Sequence, residues 1–223
     1  MDNLTLVIPA KYEKESLPLV LEELNKFNLN IVIVLEENDK DTINSISNFD
    51  CQILFQKNKG YGDALIQGIK SVETDYFCIF NADGSFRPDE LIHMLELSKK
   101  QNYDLVFGSR YEKNSTSEDD TIVTYIGNKI FSFIGSFFFS LPITDILYTF
   151  VLGKTHEVNK LNLICEDFCF CVELPIKAYK KKLSLISIPA RERRRIAGEK
   201  KVNAFKDGLK ILISMFKLKF NLL

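Results

Sequence analysis

Short apolar runs alternate with helix-like stretches along the first half of the chain. The apolar runs predict five strands, at residues 4–8, 31–35, 52–55, 76–80 and 104–107. Between them, apolar residues recur at helical spacing and predict three helices, at residues 16–27, 63–72 and 88–99. Nearly continuous apolar strands that alternate with helices are typical of a parallel sheet covered on both faces. The pattern therefore predicts an α/β fold with a mostly parallel central sheet flanked by helices.

The second half of the chain has a different pattern. Residues 114–120 are polar and predict a flexible loop, whereas residues 130–144 carry no charge and predict a buried or interfacial helix, with burial in the core favoured. This stretch is too short to span a bilayer, and no run of about 18 apolar residues occurs, so no membrane span is predicted. A strand is predicted at 183–188 and a final amphipathic helix at 202–220.

Charge is distributed unevenly along the 223 residues. The formal net charge is −1, but residues 177–219 contain 14 Lys or Arg against three Asp or Glu. A basic C-terminal part beside an acidic body indicates an anionic partner, for which phosphate, anionic lipid and nucleic acid are candidates. A solvated lysine-rich face would give the same pattern.

The cysteines indicate a reducing compartment. There are five, an odd number, and none has the Cys-x-x-Cys spacing. We interpret them as reduced, mostly buried thiols of a cytoplasmic protein. A zinc site is not predicted, because His93 and His156 are the only histidines and neither is near the cysteines at 165–171.

Three loops with acidic side chains follow the first, second and fourth predicted strands, at residues 9–16, 35–41 and 80–84. Ligands of open parallel sheets bind beyond the carboxyl ends of the strands, so these loops are expected to share one site. Mg²⁺ and Mn²⁺ prefer oxygen ligands and share them with substrate phosphates. Together the loops predict a site for a metal-chelated phosphate, although any one of them could instead cap a helix.

A glycine pair, Gly60 and Gly62, follows the third predicted strand and opens a helix. Glycine permits tight backbone turns close to a ligand, and a plain turn would use the same residues. The third glycine of a dinucleotide-binding fingerprint is missing at the required spacing, so that fingerprint is not predicted.

The motifs taken as a set resemble family 2 glycosyltransferases of the GT-A fold. The motifs that carry the resemblance lie at residues 7–13, 59–65, 75–84, 108–111, 141–145 and 192–203. The later ones are similar to dolichyl-phosphate mannose or glucose synthases and their bacterial polyprenyl-phosphate relatives. The resemblance covers nearly the whole chain.

The resemblance implies a role for individual residues. Nucleotide-sugar binding would involve Pro9, Ala10, Glu13, Glu36, Gly62, Asn81, Ala82, Asp83 and Lys201. A Mg²⁺ or Mn²⁺ ion on the donor diphosphate would be held by Asn81 and Asp83. The acceptor phosphate would be bound by Arg110 and Arg195, and the catalytic residues would be Asp83, Asp145 and Arg195.

The implied activity is transfer of a sugar, with inversion, from a UDP- or GDP-sugar to a polyprenyl phosphate. The protein would lie in the cytoplasm, peripherally bound to the cytoplasmic face of a membrane. The implied organisation is a single domain, 1–223, with a nucleotide-sugar-binding half at 1–112, an acceptor-side half at 113–201 and a C-terminal amphipathic helix at 202–223.

The chain departs from the family pattern at four places. Asn81 replaces the first acid of the metal motif, and Lys11 stands where an aromatic residue is usual. Residues 35–39 carry two glutamates in place of the usual aspartate pair and glycine, and residues 146–151 lack the usual Ser-Gly-Phe-Arg. These departures bear on the donor base, the metal affinity and the acceptor.

Two other functions remain open on sequence grounds. The acceptor could be a soluble glycan hydroxyl, in which case Asp145 would have to act as a base. The chain could instead be a non-catalytic module that binds a nucleotide sugar or a lipid. No nucleic-acid partner is predicted, because the acidic sheet edge would repel a phosphate backbone and no recognition motif occurs.

Overall fold

The computed structural model describes residues 3–198 and 202–223. Within these ranges the chain forms nine strands: β1 (Leu4–Pro9), β2 (Asn30–Leu35), β3 (Gln52–Phe55), β4 (Tyr76–Ile79), β5 (Leu105–Ser109), β6 (Thr116–Ser117), β7 (Val151–Lys154), β8 (Leu185–Pro189) and β9 (Arg191–Glu192). It also forms eight α-helices there: α1 (Leu17–Leu24), α2 (Lys40–Ser45), α3 (Tyr61–Lys70), α4 (Asp89–Gln101), α5 (Ile122–Phe139), α6 (Thr155–Asn159), α7 (Phe170–Lys180) and α8 (Ala204–Lys219).

Seven of the strands form one twisted sheet in the order β3-β2-β1-β4-β7-β5-β8. Its strands pair in parallel except at β7, which is antiparallel to both β4 and β5. The predicted α/β fold with a mostly parallel sheet is confirmed. The β7 strand was not predicted, because four residues that include Gly153 carry too little periodicity to be read as a strand.

Helices cover both faces of the sheet. On one face α1 and α4 pack on an apolar cluster that includes Leu17, Leu91 and the fully buried Phe80. On the other face α3, α7 and α8 pack on a second cluster that includes Leu65, Phe170 and Met215. Burial on both faces explains why the strands read as continuous apolar runs. The division of the chain into three functional parts stays a prediction.

Helix α7 was not predicted. Its sequence holds Pro175 in the interior, which ordinarily interrupts a helix because proline lacks a backbone N–H. Most of its residues are buried, so no polar stripe marks a helical period. The contacts with the sheet and with α8, rather than local sequence signals, account for this helix.

Helix α5 differs most from the prediction. It begins at Ile122, eight residues before the predicted start, where Thr121 and Thr124 form a reciprocal capping box. The favoured burial in the core was wrong, because among the 18 residues of α5 only Ser132 and Gly135 are buried. With its added first two turns, α5 is long and apolar enough to cross a membrane by length and composition alone.

Helix α8 confirms the predicted amphipathic C-terminal helix. Asn203 caps its first turn by accepting a hydrogen bond from the backbone N–H of Lys206 at 2.9 Å. Its buried stripe, formed by Ile211, Met215 and Leu218, packs on the second core cluster, and its remaining apolar residues face outward.

Candidate functional site

A cavity of about 470 Å³ opens at the carboxyl ends of β1, β2 and β4. Eight residues that the sequence predicted for the site line it: Pro9, Ala10, Glu13, Glu36, Asn81, Ala82, Asp83 and Arg195. The first seven come from the ends of three neighbouring strands, as expected for a parallel sheet. Arg195 reaches the cavity from a loop more than 100 residues further along the chain. Lys201 lies outside the residues that the structure describes.

The loops after β1 and β2 are bonded to one another. The backbone N–H of Tyr12 donates to the buried Asp39 carboxylate at 2.6 Å, and that of Glu13 donates to the Thr42 hydroxyl at 3.0 Å. Tyr12 has a left-handed backbone, with φ of 55°, which turns the chain sharply after the strand. These bonds hold the donor-side wall of the cavity without a ligand.

The loop after β4 is held by its own carboxylate and by the basic segment 191–198. Asp83 accepts a hydrogen bond from the backbone N–H of Ser85 at 3.0 Å, and its backbone carbonyl accepts from Ile196 at 2.8 Å. Gly84 has φ of 80°, and a Cβ there would lie 2.5 Å from the Ile196 side chain. The positive φ is the main reason that glycine is favoured here, because the end of the Ile196 side chain could shift.

Arg195 bridges two acidic segments. Its guanidinium lies 3.3 Å from the Asp83 carboxylate and 3.6 Å from that of Asp119. Its buried Nε has no hydrogen-bond partner among residues 3–198 and 202–223. Buried donors of this kind are rare, and a guanidinium with an unused N–H matches the oxygens of a phosphate. The predicted partnership of Asp83 and Arg195 at one site is consistent with this geometry.

The donor atoms at the end of β4 suit a metal that arrives with a diphosphate. Over residues 3–198 and 202–223, no cluster of three or more His, Cys, Asp or Glu side chains could hold a metal by itself. Asp83 offers a carboxylate, and Asn81, whose amide N–H₂ donates to Ser85 at 3.4 Å, offers an amide oxygen. Mg²⁺ binds through one or two such protein ligands, keeps several waters and takes the rest from phosphates. Asn81 and Asp83 therefore fit this mode.

The glycine pair after β3 packs against protein. A Cβ on Gly60 would lie 2.2 Å from the Glu166 carbonyl oxygen, and a Cβ on Gly62 would lie 2.0 Å from that of Cys165. Gly62, predicted to bind the nucleotide sugar, does not line the cavity. The reason is the close approach of segment 165–167, which the sequence does not reveal. Gly60, by contrast, does line the cavity.

Arg110 and Asp145 form a buried ion pair outside the cavity of about 470 Å³, which we call the donor cavity because residues predicted to bind the sugar donor line it. Asp145 has no exposed surface and accepts from Arg110 Nε at 2.7 Å, from a terminal guanidinium nitrogen at 3.0 Å and from the backbone N–H at 3.2 Å. Burial lowers the pKa of Arg110, but the charge of Asp145 and these hydrogen bonds outweigh it and raise the pKa above its ordinary value. Both residues were predicted for the site, and their roles stay predictions.

Two further carboxylates surround the same guanidinium. Asp120 and Glu192 each lie 3.6 Å from Arg110. Burial raises the pKa of Glu192, and the charge of Arg110 offsets part of that rise. Arg110 also borders a second, smaller cavity of about 350 Å³ between the start of α5 and β6. Asp119 forms an ion pair with Arg195, and the next residue, Asp120, forms one with Arg110. Because Asp119 and Asp120 are adjacent in the chain, the two cavities lie close together.

Segment 145–149 contributes residues both to the donor cavity and to the environment of Arg110. Leu147 and Thr149 line the donor cavity, whereas Asp145 and Tyr148 contact Arg110, whose guanidinium lies 4.6 Å from the centre of the Tyr148 ring. The segment overlaps residues 146–151, which are one of the four places where the chain departs from the family pattern. It therefore links the donor cavity to the surroundings of Arg110.

Several residues line the donor cavity that sequence reasoning did not assign to it. They are Lys11, Gln56, Gly60, Tyr61, Ala64, Leu147, Thr149, Phe168, Cys171 and Val202. Tyr61 stacks on Phe168 with ring centres 5.2 Å apart and hydrogen-bonds Thr149 at 2.7 Å. Phe168 and Cys171 lie over 100 residues from Tyr61, so no local pattern connects them. The sequence did single out Lys11 and residues 146–151 as departures from the family pattern, and Gly60 as a turn that could lie close to a ligand.

Comparison with known proteins identifies the family. The sequence profile described as Glycosyl transferase family 2 matches residues 5–157, more than half of the chain. The chain belongs to glycosyl transferase family 2. This glycosyltransferase is 24% identical over 209 residues to the UDP-N-acetylglucosamine–dolichyl-phosphate N-acetylglucosaminyltransferase of Methanococcus voltae, covering 82% of this chain and 83% of the relative. An uncharacterised glycosyltransferase of Mycobacterium bovis is 31% identical over 110 residues, 49% of each chain.

Solved structures show the same fold. Glucosyl-3-phosphoglycerate synthase of Mycobacterium tuberculosis, in complex with Mn²⁺ and UDP-glucose, superposes with a TM-score of 0.79 at 11% identity, over 98% of this glycosyltransferase and 79% of that chain. Mannosyl-3-phosphoglycerate synthase of Rubrobacter xylanophilus gives 0.74 at 13% identity, over 98% and 73%. The predicted family 2 membership and GT-A fold are confirmed, and the protein is an enzyme.

Proposed function

We propose that this glycosyltransferase moves a sugar, with inversion, from a nucleoside diphosphate sugar to a polyprenyl phosphate at the cytoplasmic face of a membrane. The observation that carries the lipid acceptor is an exposed apolar surface on α5 and α8. The two helices touch, since Lys219 on α8 donates to the backbone carbonyl of Phe138 on α5 at 2.5 Å. Here we call this the α5–α8 surface.

The α5–α8 surface is too apolar for an ordinary solvated face. Phe133 and Phe137 on α5 are 66% and 68% exposed, and Phe205 and Phe216 on α8 are 85% and 61% exposed. Other large apolar residues exposed on the same helices are Ile122, Val123, Tyr125, Ile126, Ile130, Phe138, Leu209, Leu212 and Ile213. Soluble monomers rarely expose contiguous apolar patches of this kind, and these mark sites of protein or membrane contact.

Positive charge on the same helices favours a lipid surface. Lys206, Lys210, Lys217 and Lys219 project from α8, and all four are exposed. Helices that lie in a membrane interface combine large apolar side chains with such basic residues, which attract anionic lipid headgroups. The relative from Methanococcus voltae, whose name specifies a dolichyl phosphate acceptor, supports the same assignment.

The donor cavity supplies groups for the leaving diphosphate. Asp83, with Asn81, would hold a divalent metal that neutralises charge on the diphosphate, and Arg195 would bind its oxygens. Stabilising the charge that develops on a leaving group is commonly the largest single contribution to catalysis. The structure of glucosyl-3-phosphoglycerate synthase from Mycobacterium tuberculosis, which is in complex with Mn²⁺ and UDP-glucose, supports this arrangement.

The reaction needs no strong base. A phosphate monoester is already anionic near pH 7, so one of its oxygens can attack the anomeric carbon directly. The new carbon–oxygen bond forms as the bond from that carbon to the diphosphate breaks, and the nucleoside diphosphate leaves with the electron pair. The three hydrogen bonds from Arg110 to Asp145 suit an orienting role for this carboxylate. A general base for a glycan hydroxyl would instead have to contact the acceptor.

A transfer assay tests the proposal. The purified protein is incubated with Mg²⁺ or Mn²⁺, a panel of UDP- and GDP-sugars and a short polyprenyl phosphate, and both released nucleoside diphosphate and labelled lipid are measured. We expect metal-dependent labelling of lipid by one donor. The Asp83→Asn and Arg195→Ala variants should each lower kcat by about a hundredfold or more. Lys14→Ala is the control, because Lys14 is exposed and pairs with Asp41 at the surface.

The assay separates the alternatives. Release of nucleotide and labelling of an added soluble acceptor, without labelled lipid, would contradict the lipid acceptor while keeping the donor site. Binding of donor without any transfer in the presence of both acceptors would favour the non-catalytic module.

Vesicle sedimentation tests the α5–α8 surface. The protein should sediment with vesicles that contain anionic lipid at low salt, and the Phe133→Asp/Phe137→Asp variant should stay in the supernatant. Ile92→Asp is a matched control, because Ile92 is 43% exposed on α4, which covers the opposite face of the sheet. Sedimentation of the double variant like the wild type would remove the main support for a membrane-bound acceptor.

A further inference from the structure

An ion pair stands at the β2 end of the donor cavity. Lys11 Nζ lies 2.8 Å from Glu36 Oε1, and both side chains line the cavity. Glu36 is mostly buried, with 14% of its side chain exposed, whereas Lys11 is about half exposed. The pair therefore presents a carboxylate and an ammonium side by side to whatever occupies this end.

The position of the pair corresponds to the nucleoside part of a donor. In the sheet, β2 and β4 are the two neighbours of β1. Adjacent strands are about 4.8 Å apart, so Glu36 at the end of β2 is separated from the Asp83 loop at the end of β4 by roughly 10 Å across the sheet. With the diphosphate at Asp83 and Arg195, the base would lie toward Lys11 and Glu36.

The pair is held in place before any ligand binds. The backbone N–H of Ala10 donates to the Val34 carbonyl at 2.9 Å, which extends the β1–β2 ladder to the residue preceding Lys11. The Tyr12 N–H bonded to Asp39 fixes the residue that follows. Gln56, which also lines this end, donates its amide to the Gly60 carbonyl at 2.9 Å and is thereby oriented toward its own loop.

A carboxylate beside an ammonium is more complementary to guanine than to uracil or adenine. Guanine carries two adjacent donors, N1–H and the 2-amino group, next to the acceptor O6. A carboxylate accepts two parallel hydrogen bonds, and an ammonium donates. Uracil carries a single N3–H between two carbonyl oxygens, so the second carboxylate oxygen would face a carbonyl. Adenine presents the acceptor N1 to the carboxylate.

We propose that Lys11 and Glu36 select guanine, so that the donor is a GDP-sugar. Glu36 would accept from N1–H and the 2-amino group, and Lys11 would donate to O6. This inference rests on the proposed function, because it assumes that the cavity holds a nucleoside diphosphate. A preference for a GDP-sugar would distinguish the chain from its relative in Methanococcus voltae, whose name specifies a UDP-sugar.

Equilibrium binding tests the selection without requiring turnover. Calorimetric titration of the full chain with GDP, IDP, UDP and ADP in Mg²⁺ should give the order GDP, IDP, UDP, ADP from tightest to weakest. IDP lacks only the 2-amino group, so its affinity should be about tenfold or more below that of GDP, as for a lost hydrogen bond to a charged group. UDP binding as tight as GDP would overturn the proposal.

Variants assign the two contacts. Glu36→Gln, which keeps the shape, should bring GDP and IDP to within about twofold of each other, because an amide offers only one acceptor. Lys11→Ala should weaken GDP and IDP alike and leave their ratio unchanged, and Lys14→Ala should match the wild type. Equal weakening of all four nucleotides by Lys11→Ala would place Lys11 on the diphosphate and contradict the proposal. If none of the four binds, the donor site of the proposed function fails as well; if GDP binds as expected but no lipid is labelled, only the proposed acceptor fails.

Discussion

Two regions of this glycosyltransferase, which the proposed function assigns to the sugar donor and to the acceptor, are built in different ways. Here we call them the donor side and the acceptor side. On the donor side, the loops after β1, β2 and β4 are held by backbone N–H groups that donate to nearby side chains, such as Tyr12 to Asp39 and Ser85 to Asp83. On the acceptor side, a single guanidinium, that of Arg110, lies among the carboxylates of Asp145, Asp120 and Glu192. The first arrangement depends on backbone geometry and the second on buried charge.

The difference bears on how each side responds to substitution. A loop held by backbone hydrogen bonds loses one bond when a side chain is removed. A buried ion pair that loses one partner leaves the other charge without compensation in a medium of low dielectric constant. We therefore expect the acceptor side to be the more sensitive of the two to loss of a carboxylate. It also carries the exposed apolar helices, so the same region combines a charged interior with an apolar exterior.

The largest loss of stability is expected from Asp145→Ala. Asp145 is fully buried and accepts three hydrogen bonds from Arg110, whose side chain is only 9% exposed. Removing the carboxylate should lower the free energy of unfolding by about 3–5 kcal/mol. Urea denaturation measures it, with Lys14→Ala as the surface control. A loss below about 1 kcal/mol would show that Asp120 and Glu192 compensate the guanidinium fully, and the contrast between the two sides would then fail.

A pair of glycine substitutions should move stability in opposite directions. A Cβ on Gly62 would lie 2.0 Å from the Cys165 carbonyl oxygen, whereas a Cβ on Gly127 in α5 would meet nothing within 4 Å. Gly62→Ala should cost about 1–3 kcal/mol because backbone must shift. Gly127→Ala should stabilise by about 0.4–1 kcal/mol, since alanine favours the helix and restricts the unfolded chain.

Thermal unfolding of the two glycine variants gives the comparison directly. A neutral Gly62→Ala would mean that segment 165–167 moves away at little cost. That outcome would reopen the assignment of Gly62 to the donor site, which the close packing now argues against.

On the donor side, Asp39→Ala should cost less than Asp145→Ala. Asp39 caps α2 by accepting from the backbone N–H of Thr42 at 3.4 Å and also accepts from Tyr12 at 2.6 Å. Loss of such a cap typically costs about 0.5–2 kcal/mol. The same urea titrations measure it. A cost equal to that of Asp145→Ala would remove the distinction between the two sides.

The smallest expected effect is a pH dependence of stability that arises from Glu192. Burial raises the pKa of Glu192 in the folded state above its ordinary value of 4.5. The folded state then binds more protons than the unfolded state between these two pKa values, so the contribution of Glu192 to stability is full below pH 4.5 and is lost as pH rises through the folded pKa. Glu192→Gln should therefore gain stability relative to the wild type across this window. Unfolding of both proteins from pH 4 to 8 measures the difference, and a constant or falling difference would contradict it.

Prediction from sequence worked best where neighbours in the chain are neighbours in space. The five strands and three helices predicted for the first half were located to within a few residues, because their apolar positions show a clear pattern. The six-residue helix α2 was not predicted. Eight of the predicted site residues meet at one cavity, seven of them because β1, β2 and β4 are neighbouring parallel strands that end at the same edge of the sheet. Arg195 was placed there only by resemblance to the family.

Prediction failed where distant segments decide the structure. Strand β7 is four residues long and is defined by its pairing between β4 and β5. Helix α7 forms despite Pro175, because most of its residues are buried against the rest of the protein. The close approach of segment 165–167 to Gly62 could not be read from the sequence either, and the assignment of Gly62 to the nucleotide sugar stays a prediction. None of these contacts leaves a signal within a window of ten to twenty residues.

The amino-acid sequence by itself determined the α/β architecture, the cavity at the ends of β1, β2 and β4, and membership of a glycosyltransferase family. Local periodicity and the order of the motifs carry that information, since both are properties of short segments. Only the tertiary structure decided that Arg110 is buried against Asp145, that α5 exposes Phe133, Phe137 and Phe138, and that Lys11 and Glu36 meet at the end of β2. Burial and ion pairing at these positions depend on contacts between segments that are far apart in the sequence. They are therefore determined only when the whole chain folds.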